Sequence, residues 1–143
     1  MRYMLDTDIL ISLYFLNSEI VRNKLTQLIR SHNDIYIDNY CVNEFARVIF
    51  EKHLLKLDND KNKWIINIKQ IEQLIFDNFY TITCTLPGRL SFSIRDPKDE
   101  MVLKAALDNK IDYLITGDKD LLDVKQVKSL KIISLQELTM KFH

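Results

Sequence analysis

The chain has 143 residues, 47% hydrophobic and 28% charged, with 20 basic side chains against 20 acidic ones and therefore no formal net charge. This length makes one domain over residues 1–143 the expectation, large enough to bury roughly 70% of the surface of its unfolded chain. A half-apolar composition excludes a disordered chain, apolar runs of a few residues exclude a membrane span of ~18, and zero net charge argues at first against a polyanionic partner.

Only two glycines and two prolines punctuate the sequence, so regular elements must fill most of it. The first stretch, MRYMLDTDILISLYFL, carries Asp6 and Asp8 in its middle and no small-residue cleavage site, which is not the pattern of a secretory signal. Tyr3-Met4-Leu5 predicts a strand, and the acids after it offer N-cap chemistry for a helix from about Ile9. A helix follows over Glu19 to Arg30, then a strand over Asp34 to Asp38, whose residues are β-branched or aromatic at the centre. Asn39 is placed to cap a helix running to about Lys56, and a polar break over Leu57 to Lys61 separates it from a helix carrying Trp64, Ile65, Ile68, Ile71, Leu74 and Ile75. Tyr80 to Cys84 reads as a third strand. Thr85 to Arg95 is the longest irregular stretch, with an alternation over Leu90 to Ile94 that suits a short edge strand.

Asp96-Pro97-Lys98-Asp99 is a helix start, with a capping acid, proline at the first helical position and more acids in the first turn, and the helix is expected to reach about Asn109. Asp112 to Thr116 predicts a fourth strand, Gly117 a turn, and Asp118 to Asp123 a short helix. Ile132-Ile133 is a fifth strand, and Ser134 with Glu137 forms a capping box for a last helix. Strands alternating with helices imply an α/β class, a three-layer α/β/α arrangement around a central parallel sheet of four to five strands. Cys41 and Cys84 lack CxxC spacing and His32, His53 and His143 do not cluster with them, which suits reduced thiols in a cytoplasmic chain and no zinc site.

Ligands of open parallel sheets bind beyond the carboxyl ends of the strands, and the acids collect there: Asp6 after the first strand, Asp118 and Asp120 after the fourth, Asp96 and Asp99 at the helix leading into the fourth. On a wheel of about 100° per residue with Cys41 at zero, Glu44 falls near −60° beside Val48 near −20° and Phe45 near +40°, at the edge of the buried stripe. Each acid alone has an ordinary explanation: Asp6 and Asp96 as caps, Asp99 at the helix dipole, Asp118 as turn chemistry, Glu44 reaching for Lys52. Four or more carboxylates at one edge, however, repel each other unless a cation holds them, and hard oxygen donors suit Mg²⁺ or Mn²⁺.

Four motifs then resemble the PIN-domain ribonucleases of the short prokaryotic type, often the toxin half of a toxin–antitoxin pair: Leu5-Asp6-Thr7-Asp8-Ile9-Leu10, Glu44 in the second main helix, Arg95-Asp96-Pro97-Lys98-Asp99 with Ala105-Ala106, and Leu114-Ile115-Thr116-Gly117-Asp118-Lys119-Asp120-Leu121-Leu122. The resemblance implies a parallel sheet and a Mg²⁺- or Mn²⁺-dependent site that hydrolyses RNA phosphodiester bonds, leaving a 5′-phosphate. Carried over by residue, it makes Asp6, Glu44, Asp99 and Asp118 the metal-binding catalytic acids, with Asp96, Asp120, Thr116 and Asp8 supporting them or a second ion. Asp8 departs from the family, which usually has asparagine or another small polar residue there. Arg89, Arg95, Lys98 and Lys119 stand beside these positions as candidate phosphate contacts, whereas Tyr14, Phe15, Phe50 and Trp64 suit a core or dimer contact better than base stacking. Family partners would be an antitoxin protein and a second copy of the chain, as a homodimer or higher oligomer.

Two other readings stand beside this one. Asp6-x-Asp8 with Gly117-Asp118-x4-Asp123 is also similar to haloacid-dehalogenase-type phosphatases, although Leu10 replaces the expected threonine or valine; and a PIN-like fold can serve only to bind RNA or protein. The charge balance sharpens the nuclease reading. Setting aside Asp6, Glu44, Asp96, Asp99, Asp118 and Asp120 leaves 20 basic against 14 acidic groups, an acidic pocket in a mildly basic body.

Overall fold

The computed structural model describes residues 1–54, 61–82 and 97–141. Five parallel strands carry the sheet: β1 Arg2–Leu5, β2 Asp34–Asp38, β3 Tyr80–Ile82, β4 Tyr113–Ile115 and β6 Leu130–Ile133. A two-residue strand, β5 Gln126–Val127, joins β6 antiparallel and completes a six-stranded sheet in the order β3-β2-β1-β4-β6-β5. This antiparallel strand was not expected from the sequence, because the helix end before it and the turn after it use Lys125 and Lys128, at φ 66 and 53, in place of glycine.

The helices between the strands are α1 Thr7–Leu10, α2 Glu19–Arg30, α3 Asn39–Val48, α4 Lys61–Asn78, α5 Pro97–Asp108, α6 Lys119–Val124 and α7 Leu135–Lys141. α1 and α3 run on as π-helical turns over Ile11–Phe15 and Ile49–Leu54. The expected capping box is present at α7, where Ser134 and Glu137 bond reciprocally, and side-chain caps also open α2, where Ser18 accepts from Val21 N, and α6, where Asp118 accepts from Asp120 N. At α3 the cap is Asp38 and not Asn39, since the helix starts directly at the end of the strand, with Asn39 already its first residue, and the Asp38 carboxylate accepts from Tyr40 N at 3.2 Å. The ends assigned to Lys56 and Cys84, the polar break over 57–60, the irregular stretch over 85–95 and the cap at Asp96 lie outside the described residues.

Strand order explains where a site must form. Connections run outward from β1 to β2 to β3, then return across the sheet to β4 and continue to β6, so the direction reverses between β1 and β4. With right-handed crossovers, α1 to α4 cover one face and α5 and α6 the other, and the loops after β1 and β4 diverge to leave a crevice. Burial agrees with cover on both faces, since Tyr3, Met4 and Leu5 of β1 and Tyr113, Leu114 and Ile115 of β4 are all buried. Register pairs Leu5 with both Ile37 and Ile115, so Asp6, Asp38 and Thr116 emerge side by side at the carboxyl edge. Tyr14, Phe15 and Phe50 pack against the apolar core. Among the described residues no helix is long and apolar enough to cross a membrane.

Candidate active site

Asp6, Glu44, Asp99 and Asp118 line one cleft of about 440 Å³ at that edge, together with Asp8, Gly117 and Lys98. They arrive from four elements. Asp6 follows the buried strand β1, Glu44 stands on α3, Asp99 sits in the first turn of α5, and Asp118 caps α6. Asp99, Asp118 and Asp120 each offer a carboxylate oxygen such that all three atoms lie within 4.8 Å of one another, a spacing that oxygen-loving divalent cations bridge.

Asp6 is the most constrained acid. Its Oδ1 accepts from Thr7 N at 2.8 Å and from the Cys41 thiol at 3.8 Å, and its Oδ2 accepts from Thr116 Oγ1 at 2.7 Å. Burial nevertheless raises its pKa, the two threonine donors oppose that rise, and the charges of Glu44 and Asp118 add to it. Thr116 has no exposed surface and serves both sides of the cleft, because its hydroxyl also accepts from Asp118 N at 3.0 Å. Cys41 lies buried behind Asp6, and burial pushes its thiol pKa well up, so it is a hydrogen-bond donor and not a nucleophile.

Glu44 is held from two directions, by the Tyr40 hydroxyl at 3.2 Å and by the Lys98 ammonium at 3.8 Å from its Oε2. Its cation is therefore Lys98 and not the Lys52 proposed from sequence. Of the basic candidates, Lys98 lines the cleft, Lys119 opens α6 but does not line it, and Arg89 and Arg95 lie outside the described residues, as does Asp96.

Asp8 ties the two loops together: its Oδ2 accepts from Gly117 N at 2.6 Å, and its Oδ1 is buried with no hydrogen-bond partner among the described residues. A Cβ on residue 117 would collide with the Asp8 carboxylate, so the close approach needs glycine there. Burial and the neighbouring Asp6 charge push the Asp8 pKa up to about 6, with the Gly117 N–H opposing. A carboxyl whose folded pKa exceeds its unfolded one contributes stability below about pH 4 and loses it as pH rises through about 6. In metal-free buffer, Asp8→Asn is accordingly expected to stabilise the fold at pH 7.5 by about 2 kcal/mol, a shift of two pKa units discounted for the part that water screens. Denaturant titrations across pH 4 to 8 check this; a gain that persists undiminished at pH 4 would contradict it.

Asp38 was missed by the sequence reading. It is 2% exposed next to Asp6 at the sheet edge, and burial raises its pKa while the Tyr40 N–H opposes. Its only signal in the sequence is an acid ending a strand, the same signal as Asp6.

Comparison with known proteins agrees with this architecture. A family model described as the PIN domain matches residues 2–120. The crystal structure of VapBC2 from Rickettsia felis bound to a DNA fragment from their promoter contains a chain of similar fold, with a TM-score of 0.67, 16% identity, and coverage of 94% of this chain and 98% of that one. Among curated proteins none matches the chain in sequence. The family match agrees with the PIN-domain resemblance and not with the phosphatase one. A sheet that reverses direction beside Asp6, with the motif acids at its carboxyl edge and a PIN-domain match over residues 2–120, makes this chain a member of the PIN-domain family.

Proposed function

We propose that this chain is a Mg²⁺- or Mn²⁺-dependent endoribonuclease that hydrolyses RNA phosphodiester bonds to leave 5′-phosphates, acting as one domain over residues 1–143. The observation that carries the reading is the convergence of Asp99, Asp118 and Asp120 carboxylate oxygens within 4.8 Å of one another, where Asp99 and Asp118 line the cleft that Asp6 and Glu44 also line. The donor set fits a hard divalent cation: it is all oxygen, it is anionic, and the Glu44 and Asp118 charges that add to the burial-driven rise of the Asp6 pKa are offset by a positive ion. Asp99, Asp118 and Asp120 would hold the ion, with Asp6 and Glu44 forming the rest of the acidic wall. When bound, such an ion supplies Lewis-acid polarisation of a phosphodiester and acidifies a water for in-line attack.

The chain's own residues do the positioning. Thr116 fixes the Asp6 carboxylate and the start of α6 at once, and Asp8 clamps the turn at Gly117 so that Asp118 faces Asp99. Lys98 offsets the Glu44 charge and stands where a phosphate would enter. The likeness to VapBC2, a complex bound to DNA from its promoter, supports a cognate antitoxin as partner, with the chain as the toxin of the pair. A homodimer or higher oligomer in the cytoplasm belongs to the same proposal. The test is incubation of the purified chain with single-stranded RNA in Mn²⁺, in Mg²⁺ and in chelator. Cleavage in the metals alone is expected; retention of RNA without cutting would favour a binding module, and hydrolysis only of small phosphate esters would favour a phosphatase.

A further inference from the structure

One face of α3 and its π-helical continuation presents a stripe to the cleft that the motif acids do not account for. Tyr40, Glu44, Arg47, Val48 and Lys52 all line it, at the three- and four-residue spacing of a single helical face. The stripe changes character along its length: Glu44 lies among the acids, whereas Arg47 and Lys52 extend away from them. At the ~1.5 Å per residue of an α-helix the backbones of Arg47 and Lys52 come roughly 4.5 and at most about 12 Å beyond that of Glu44 along the axis, against about 3.4 Å of rise per phosphate in a stacked strand. Arg47 is paired with Glu51 at 3.3 Å, but both side chains are half exposed, and an exposed pair of this kind is weak enough to exchange for a phosphate. Val48 between them is uncharged and adds no repulsion.

We infer that Arg47 and Lys52 form a cationic rail that takes the phosphates flanking the scissile bond of a single-stranded RNA, aligning the strand over the acids. This deepens the nuclease reading and rests on it. The geometry suits a strand that enters the cleft along α3: the scissile phosphate lies over Asp99 and Asp118, and the next phosphates meet Arg47 and then Lys52. Guanidinium and ammonium groups contact phosphate without reading bases, so the rail sets affinity and register and leaves sequence choice elsewhere. Neither residue touches the reacting atoms; both are positioning residues.

The test compares the full chain with Arg47→Ala/Lys52→Ala and with a control that removes two cations at the opposite sheet edge, Arg30→Ala/Lys131→Ala. Substrates are a fluorescein-labelled single-stranded RNA and a minimal phosphodiester too short to reach the rail. The rail variant is expected to raise KM for the RNA roughly tenfold with kcat held within about twofold, and to flatten the dependence of log KM on log salt by about 1.4, two contacts at ~0.7 each. Its rate on the minimal phosphodiester should equal that of the unaltered chain, and the control should match the unaltered chain on both substrates. A rail variant indistinguishable from the control, or a loss in kcat on both substrates, would overturn the rail while leaving the nuclease reading standing. Failure of the unaltered chain to cut RNA in either metal would overturn both.

Discussion

Asp118→Asn is expected to lower RNA cleavage by at least about a hundredfold, the upper end of what loss of even a supporting partner of a metal site costs, without lowering the melting temperature of the metal-free chain. The two halves of this result have separate causes. Asparagine is as good a cap as aspartate, so its side-chain oxygen can still accept from Asp120 N and α6 keeps its start. What is lost is a charge: the Asp118 carboxylate helps raise the Asp6 pKa, so its removal relieves repulsion in the absence of a cation while taking away one of the three oxygens grouped with Asp99 and Asp120. RNA cleavage in Mn²⁺ and a thermal scan in chelator read the two halves. Unaltered cleavage would remove Asp118 from the site, and a large fall in melting temperature would show its role to be structural.

Leu114→Ala carries the largest expected loss of stability. Leu114 has no exposed surface and sits on β4 in register with Met4 of β1 and Ile132 of β6, so neighbours on two strands and both faces prevent collapse onto the cavity. Truncations of this kind cost about 2–5 kcal/mol, a large share of the roughly 5–15 kcal/mol that holds a domain together. At ~2–4 °C per kcal/mol the melting temperature should fall by roughly 5–20 °C. Cleavage measured well below the new midpoint should persist, because β4 delivers Thr116 and Asp118 through backbone bonds that the substitution leaves in place. A loss under about 1 kcal/mol would mean that the centre of the sheet is not packed as described.

Elements with a local signal were legible in the chain. β1, β2 and β4 are short apolar runs ending at an acid or a threonine, as expected of strands covered on both faces, α5 starts at the proline that signalled it, and α7 opens on capping chemistry contained within four residues. Features without such a signal were not. The π-helical turns after α1 and α3 keep an apolar spacing close to that of an α-helix, and β5 is two residues long between lysines in left-handed conformation. Asp38 and Asn39 are equally good caps, and the choice between them follows from where pairing with β1 and β3 ends.

The candidate site divides along the same line. The sequence by itself determined which residues can carry the chemistry and at which edge they gather, because strand ends, caps and the phase of α3 are properties of a few neighbouring residues. Only the tertiary structure decided which of them meet. Asp120 joins Asp99 and Asp118, Asp8 closes onto Gly117, Glu44 takes Lys98 and not Lys52, and Arg47 faces the cleft while Lys119 does not. These pairings span elements distant in the chain, and they are set by the strand order and by the reversal of direction between β1 and β4. The balance of 20 against 20 charges conceals this arrangement, since a sum over the chain is indifferent to position, while the fold brings Asp6, Asp8, Glu44, Asp99 and Asp118 into one cleft with Arg47, Lys52 and Lys98.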